Sequence, residues 1–354
     1  MIKKKCLEKE YIRKKSREIG ADPVLVERVI FAFELLSLLI KKGDLPLLFK
    51  GGTSLMLLLP ELMRLSIDVD IVTEEENATL KNSFNSLLID SFFKRWEEDT
   101  RSVNKEVPKR HFKFYYDSPV AGSELYILVD ILQSESIYSS VIKKPILHPI
   151  FEVEEKIEVT IPSINSITGD KLTAFAPKTI GIPYGTGKSM EIIKQLFDLG
   201  ILFEHISDIR EVYDSYRNAA EFESGYRKLK MAIEAFLDDS IATSFLICQS
   251  GFKGCVDSEE TKELKAGIKR IKSHILGGKY SQLQAKSDAS KVAYLASMMR
   301  DDRLDIDIGE IRKKRKDLEI IKDINLTDNY IILNKLKKIS PESFYLWAGA
   351  LNFI

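Results

Sequence analysis

The sequence predicts an α/β (α+β) chain with a mainly helical C-terminal domain, and three features carry that prediction. Short extended runs alternate with helical stretches as far as Ile161. Within them, Arg64 to Ile71 alternate polar and apolar without a break, the pattern of a strand with one buried face. From about Asp208, stretches such as REVYDSYRNAAEFESGYRKLKMAIEAFLDD and KVAYLASMMRD turn to helical periodicity. At 354 residues the chain is long enough for two domains, expected at 1–206 and 207–354.

The elements follow in order. MIKKKCLEKEYIRKKSREIG lacks the apolar core of a secretory signal. Asp22-Pro23 supplies an N-cap and a first helical residue, and the apolar residues to Ile40 fit a buried helix face. The run from Val29 to Ile40 is interrupted by Glu34 and too short to span a bilayer, so a cytoplasmic location is expected. Leu45 to Phe49 is an apolar strand or helix end, followed by Gly51-Gly52-Thr53 and a helical run from Ser54. Thr73-x-x-Glu76 has the form of a capping box, so strand should pass directly to helix. HFKFYYDSPVAGSELYILVDIL reads as a hairpin of two extended runs, His111 to Tyr116 and Leu125 to Leu132. Extended runs recur over Pro145 to Ile161. The end, SPESFYLWAGALNFI, is apolar enough to dock, with Trp347 and Phe353 read as core rather than interface.

Chemistry gathers around three aspartates. On one strand, Asp68 and Asp70 at i and i+2 project together and repel unless a cation lies between them. Mg2+ suits such a site, because it takes carboxylate oxygens along with substrate phosphates. The alternative is a half-exposed strand whose carboxylates face water. A Gly pair with Thr53 at a helix start leaves backbone N–H groups free to meet phosphate, or forms an ordinary turn. Asp130 sits in a run apolar on both faces, where a carboxylate is costly unless it binds metal or pairs with a cation such as Lys113.

Gly51-Gly52-Thr53-Ser54-Leu55 followed by Arg64-x-Ser66-x-Asp68-x-Asp70 resembles the signature of the AbiEii-type nucleotidyltransferases, a branch of the DNA polymerase β superfamily. Asp130 fits that family's third acid. IPSINSITGDKLTAF is similar to its helix with an acid-Lys pair and a later alanine, at Asp170, Lys171 and Ala174. KSMEIIKQLFDLGIL is similar to a further element, at Lys194, Asp198 and Leu199, with Gln195 where the family carries an Asp. The resemblance spans roughly residues 20 to 205. It implies a nucleotidyltransferase-like mixed sheet with flanking helices and a toxin encoded beside its antitoxin.

The activity implied is transfer of a nucleoside monophosphate from a nucleoside triphosphate (NTP) to RNA, with the 3′ end of tRNA as the expected acceptor. Asp68, Asp70 and Asp130 would be the metal ligands for two Mg2+ ions, which act on both the incoming and departing oxygens of such a displacement. Asp130 is also a candidate proton acceptor. Lys171, with Lys188 or Lys178, would neutralise the triphosphate, and Gly51, Gly52, Thr53, Ser66 and Asp198 would complete the nucleotide site. Arg64 is either a phosphate or acceptor contact or a solvent-exposed strand residue. Two other readings stand beside this one: transfer to a protein or small-molecule hydroxyl, and a catalytically silent scaffold that binds a partner.

Gly181 to Ser189 imitates a phosphate-binding P-loop, but Gly181 lies one residue too far from Gly187-Lys188-Ser189 and no strand precedes it. A mobile loop, suited to a phosphate-facing flap, is the expectation there. The 53 basic and 53 acidic residues cancel, so no global charge announces nucleic acid. Two basic runs are candidate RNA contacts or plain solvated surface: Lys105, Lys109, Arg110 and Lys113, and Arg312 to Lys316. Cys6, Cys248 and Cys255 are too few and too scattered for a disulfide framework or a zinc site.

Overall fold

The structure, a computed structural model, describes residues 1–61, 63–99, 108–255 and 257–354. It is mixed α/β and divides into two compact units. The first holds residues 1–136, 141–162 and 274–278, and the second residues 137–140, 163–273 and 279–354.

Unit 1 opens with α1 (Lys9–Ile19) and α2 (Pro23–Lys41). As the sequence predicts, Asp22 caps α2, its Oδ1 accepting from the Leu25 N–H at 2.9 Å. There follow β1 (Leu48–Lys50), α3 (Gly51–Leu58), β2 (Val69–Thr73), α4 (Asn77–Leu88) and β3 (Phe93–Glu98). The hairpin of β4 (Lys109–Asp117) and β5 (Glu124–Gln133) is as expected and slightly longer, and β6 (Val141–Pro145) and β7 (Glu158–Pro162) close the unit. These strands form one mixed sheet in the order β3-β4-β5-β2-β1-β7-β6. The β1–β7 and β2–β5 pairs are parallel and the others antiparallel.

One face of the sheet is the core. Phe49, Ile71, Val129, Ile131, Phe112, Phe114 and Tyr116 are fully or almost fully buried. Phe31 of α2 stacks on Tyr116 with ring centroids 4.0 Å apart, and Phe84 of α4 meets Phe112 and Phe114 edge-on at 5.0 and 5.1 Å. Glu27, buried in α2, accepts from Tyr116 Oη, Ser118 Oγ and the Val120 N–H, pinning the β4–β5 turn to the helix. The side chains alternating with this core point to the opposite face.

Three local expectations change. The strand predicted from Arg64 begins only at Val69. Upstream, the main chain pairs elsewhere: the Leu65 N–H donates to the His274 carbonyl and the Leu276 N–H to the Met63 carbonyl, with Arg64 bridging Ile275. The capping box does not form, because Thr73 ends β2 with its hydroxyl on the Pro46 carbonyl at 2.7 Å, and α4 starts without a side-chain cap. Between Pro145 and Glu158 the chain leaves the sheet.

Unit 2 is helical: α5 (Ile164–Ala174), α6 (Ser189–Leu202), α7 (Ile209–Arg227), α8 (Ile233–Gln249), α9 (Glu259–Arg270), α10 (Gln282–Arg300), α11 (Ile308–Lys314), α12 (Leu336–Ile339) and α13 (Pro341–Ala350). Helix α10 packs against α6, α8 and α13, and α5 against α7. Trp347 is fully buried and donates from Nε1 to Cys248 Sγ at 3.3 Å, so it belongs to the core, whereas Phe353 is 41% exposed. No described helix is long and apolar enough to cross a membrane.

Candidate active site

Register decides which side chains meet on the face of the sheet opposite that core. Asp70 pairs with Asp130 across the parallel β2–β5 ladder. Asp130 pairs with His111 across β5–β4, and Asp70 with Lys50 across β2–β1. Residues opposite each other on neighbouring strands face the same side, so Lys50, Asp70, Asp130 and His111 form a row across four adjacent strands. Two carboxylates side by side repel, and here a cationic or protonatable residue flanks each end of the pair. His111 Nδ1 lies 2.7 Å from Asp130 Oδ1, both side chains being about one-third exposed or less. The hydrogen bond to Asp130 raises the His111 pKa above its ordinary value, against the opposing effect of partial burial.

The glycine turn closes against this row. Gly51 takes φ +78°, in the left-handed region, and an added Cβ would fall 1.9 Å from Asp70 Oδ2. At Gly52 an added Cβ would fall 2.6 Å from Arg64 Nη2 and 2.8 Å from Ser66 Oγ. The two glycines therefore let the first turn of α3 approach Asp70, Arg64 and Ser66 with no side chain between, and no side chain caps that helix. Thr53 is fully buried and donates its hydroxyl to the Asp68 carbonyl at 2.6 Å, fixing the main chain one residue before β2.

Gly51, Gly52, Thr53, Arg64, Ser66, Asp68, Asp70 and Asp130 are thus gathered in unit 1. Among the described residues, no group of three or more His, Cys, Asp or Glu side chains is placed to hold a metal ion. The donors fit Mg2+ in kind: they are carboxylate oxygens, and the missing Cβ of Gly51 leaves the room that Asp70 Oδ2 occupies.

Lys171 and Asp198 lie in unit 2, where α5 and α6 bring them together. Lys171 Nζ is 2.8 Å from Asp198 Oδ2, with both side chains nearly inaccessible. It also donates to Gln195 Oε1 at 3.4 Å, so the residue that departs from the family pattern still offers Lys171 an acceptor, without charge. Tyr138 Oη donates to Asp170 at 2.7 Å.

Several cations of the two basic runs are held internally, while Lys313, Lys314 and Lys316 are exposed. Arg110 pairs with Glu98 at 2.5 Å and Lys113 with Asp99 at 2.6 Å, so Lys113 is not the partner of Asp130. Lys105 lies outside the described residues. In the second run, Arg312 caps the Phe203 and Ile206 carbonyls and Arg315 forks onto Glu204 at 2.9 Å. His111 and Lys50 were missing from the sequence-derived site. Counting pairs back from the hairpin turn would have placed His111 opposite Asp130; Lys50 needed the β1–β2 register, which no local pattern reveals.

A mixed sheet carrying neighbouring aspartates beside a Gly-Gly helix start is the framework of a nucleotidyltransferase. Residues 35–309 match the family described as "Nucleotidyl transferase AbiEii toxin, Type IV TA system", and the chain belongs to that family. No curated protein sequence matches it. Among solved structures, the crystal structure of JHP933 from Helicobacter pylori is similar at 14% identity and a TM-score of 0.45, covering 84% of this chain and 99% of that one. A proposed nucleotidyltransferase from H. pylori is similar at 15% identity and a TM-score of 0.45, covering 78% of this chain and 96% of its own. The assignment rests on the family match and not on these two likenesses.

Proposed function

We propose that this nucleotidyltransferase is the Mg2+-dependent toxin of an abortive-infection pair, moving a nucleoside monophosphate from an NTP to RNA, with the 3′ end of tRNA as acceptor. The observation that carries the reading is the in-register Asp70–Asp130 pair with Gly51 packed against Asp70. Asp68, Asp70 and Asp130 would hold the divalent ions, which when bound offset charge on the phosphoryl oxygens. The backbone N–H groups after Gly51 and the side chains of Ser66 and Arg64 would receive phosphate oxygens. The acceptor hydroxyl oxygen bonds to the α-phosphorus as the bond to the β-phosphate oxygen breaks. Pyrophosphate leaves, and Asp130 takes the hydroxyl proton.

For Lys171 and Asp198 we propose, from the family resemblance alone, a triphosphate-neutralising lysine and its partner. A functional nucleotidyltransferase domain over 1–206, action in the cytoplasm and a cognate antitoxin belong to the same proposal. The test incubates the full chain with Mg2+, total RNA and each α-32P NTP in turn, beside Asp68→Ala and Asp70→Ala. A discrete labelled RNA band, lost in both variants, is expected. Unlabelled RNA with label on a protein or small molecule would overturn the RNA acceptor. Absence of nucleotide binding would overturn the enzyme reading in favour of a partner-binding scaffold.

A further inference from the structure

We propose that His111 is a positioning residue for the transfer site, holding the Asp130 carboxylate in the orientation in which it works beside Asp70. The proposal rests on the functional reading above and names a residue which that reading does not use. An aspartate at the centre of a strand can swing about two side-chain torsions, and beside a second carboxylate it is driven to turn away. His111 opposes both tendencies. It sits directly opposite Asp130 in the β4–β5 register and reaches Oδ1 at 2.7 Å, a short hydrogen bond to a charged acceptor.

The main chain that carries the imidazole is itself held in the sheet. The Asp99 N–H donates to the His111 carbonyl at 2.8 Å, continuing the β3–β4 pairing, and the adjacent Phe112 is fully buried against Phe84. The most obvious competing cation on the same strand face, Lys113, is turned to Asp99 at 2.6 Å. The role needs only an N–H at Nδ1, which one neutral tautomer and the imidazolium both supply, so it does not depend on the charge of the ring. Groups that hydrogen-bond a metal-binding carboxylate fix its orientation, and removing one typically weakens metal affinity by roughly 10–100-fold. A surface His–Asp pair with no such task would leave metal binding unchanged.

The test measures Mn2+ binding to the full chain without nucleotide, by electron paramagnetic resonance, for the wild type, His111→Ala, His111→Asn and Asp130→Asn. Asn places an amide N–H near the position of Nδ1. Expected are a loss of Mn2+ affinity on the order of 10-fold or more in His111→Ala, recovery of most of it in His111→Asn, and the largest loss in Asp130→Asn. In labelling assays His111→Ala lowers kcat and leaves the NTP KM close to wild type, which a general loosening of the fold would not do. Should His111→Ala fail to fold, an Asn variant that folds yet binds Mn2+ as weakly as Asp130→Asn overturns the positioning role. So does a folded His111→Ala that binds Mn2+ as tightly as wild type. A folded wild type that binds no Mn2+ overturns the functional reading itself, an outcome distinct from the other two.

Discussion

Gly51 is constrained twice, and the two constraints can be separated. Its φ of +78° disfavours any L side chain, and its missing Cβ leaves the room that Asp70 Oδ2 occupies. Gly122, in the β4–β5 turn, has φ +69° but nothing within 4 Å of an added Cβ. Gly122→Ala should therefore cost only backbone strain, about 1 kcal/mol in urea unfolding, and leave RNA labelling at the wild-type rate. Gly51→Ala adds displacement of Asp70. Misplacement of a reacting group by about 1 Å costs on the order of a hundredfold in rate, and that is the loss expected in the labelling assay. Equal labelling by the two variants would show that Asp70 does not need the space. The Gly-Gly pair was legible in the sequence, but which glycine touches which side chain was not, since the contacts come from β2 and the segment before it.

Helix capping shows where local pattern succeeds and where it yields. Asp22-Pro23 works as read because the Asp22 carboxylate accepts from the Leu25 N–H, and Asp22→Ala should cost about 1 kcal/mol by losing that bond. Thr73-x-x-Glu76 fits its template equally well, yet β2 retains Thr73 and the helix begins at Asn77, four residues beyond the expected cap. Glu76→Ala should therefore change urea stability by no more than about 0.5 kcal/mol, as at surface positions without special contacts. A loss as large as that of Asp22→Ala would mean that the box forms in solution. The β2 strand starts later than its alternating pattern predicts for a related reason. Alternation of polar and apolar residues marks which residues can sit in a sheet, but pairing requires a partner strand, and the residues around Arg64 find theirs at His274 to Leu276.

Over the whole chain, buried titratable groups whose pKa values burial shifts make stability respond to acid. Burial pushes the His148 pKa down to about 4, with the ring lying nearly parallel to Phe33. An unfolded histidine titrates near about pH 6.5, so between these values the unfolded state binds the extra proton. The contribution of His148 is fully present above about pH 6.5 and is lost as pH falls toward 4, on the order of 1–3 kcal/mol. Asp288 works the other way, since burial raises its carboxyl to about 6 and the folded state holds that proton more tightly. Comparing the wild type with His148→Phe isolates the histidine: urea midpoints measured from pH 7 to pH 4 should fall more steeply in the wild type. Parallel profiles would rule out a buried neutral His148.

Much of the architecture follows from short-range chemistry that any reading of the chain can apply. A Pro after an Asp starts a helix, a run of alternating residues around a Pro and Gly turn makes a hairpin, and an Asp among buried aliphatic residues demands a metal or a cationic partner. Those rules yielded the α/β class, the β4–β5 hairpin and the three aspartates, and the Gly-Gly to Asp-x-Asp spacing yielded the family. Tertiary structure decided the rest, because strand register and ion-pair choice depend on residues far apart in sequence. It set Asp70 beside Asp130, put His111 and Lys50 at the two ends of that pair, and brought residues 274–278 out of a helical stretch of sequence to the sheet-bearing unit. It also turned Arg110, Lys113, Arg312 and Arg315 of the two basic runs to internal pairs and carbonyl caps, since a buried or half-buried cation must find an acceptor and only the folded chain determines which one is within reach.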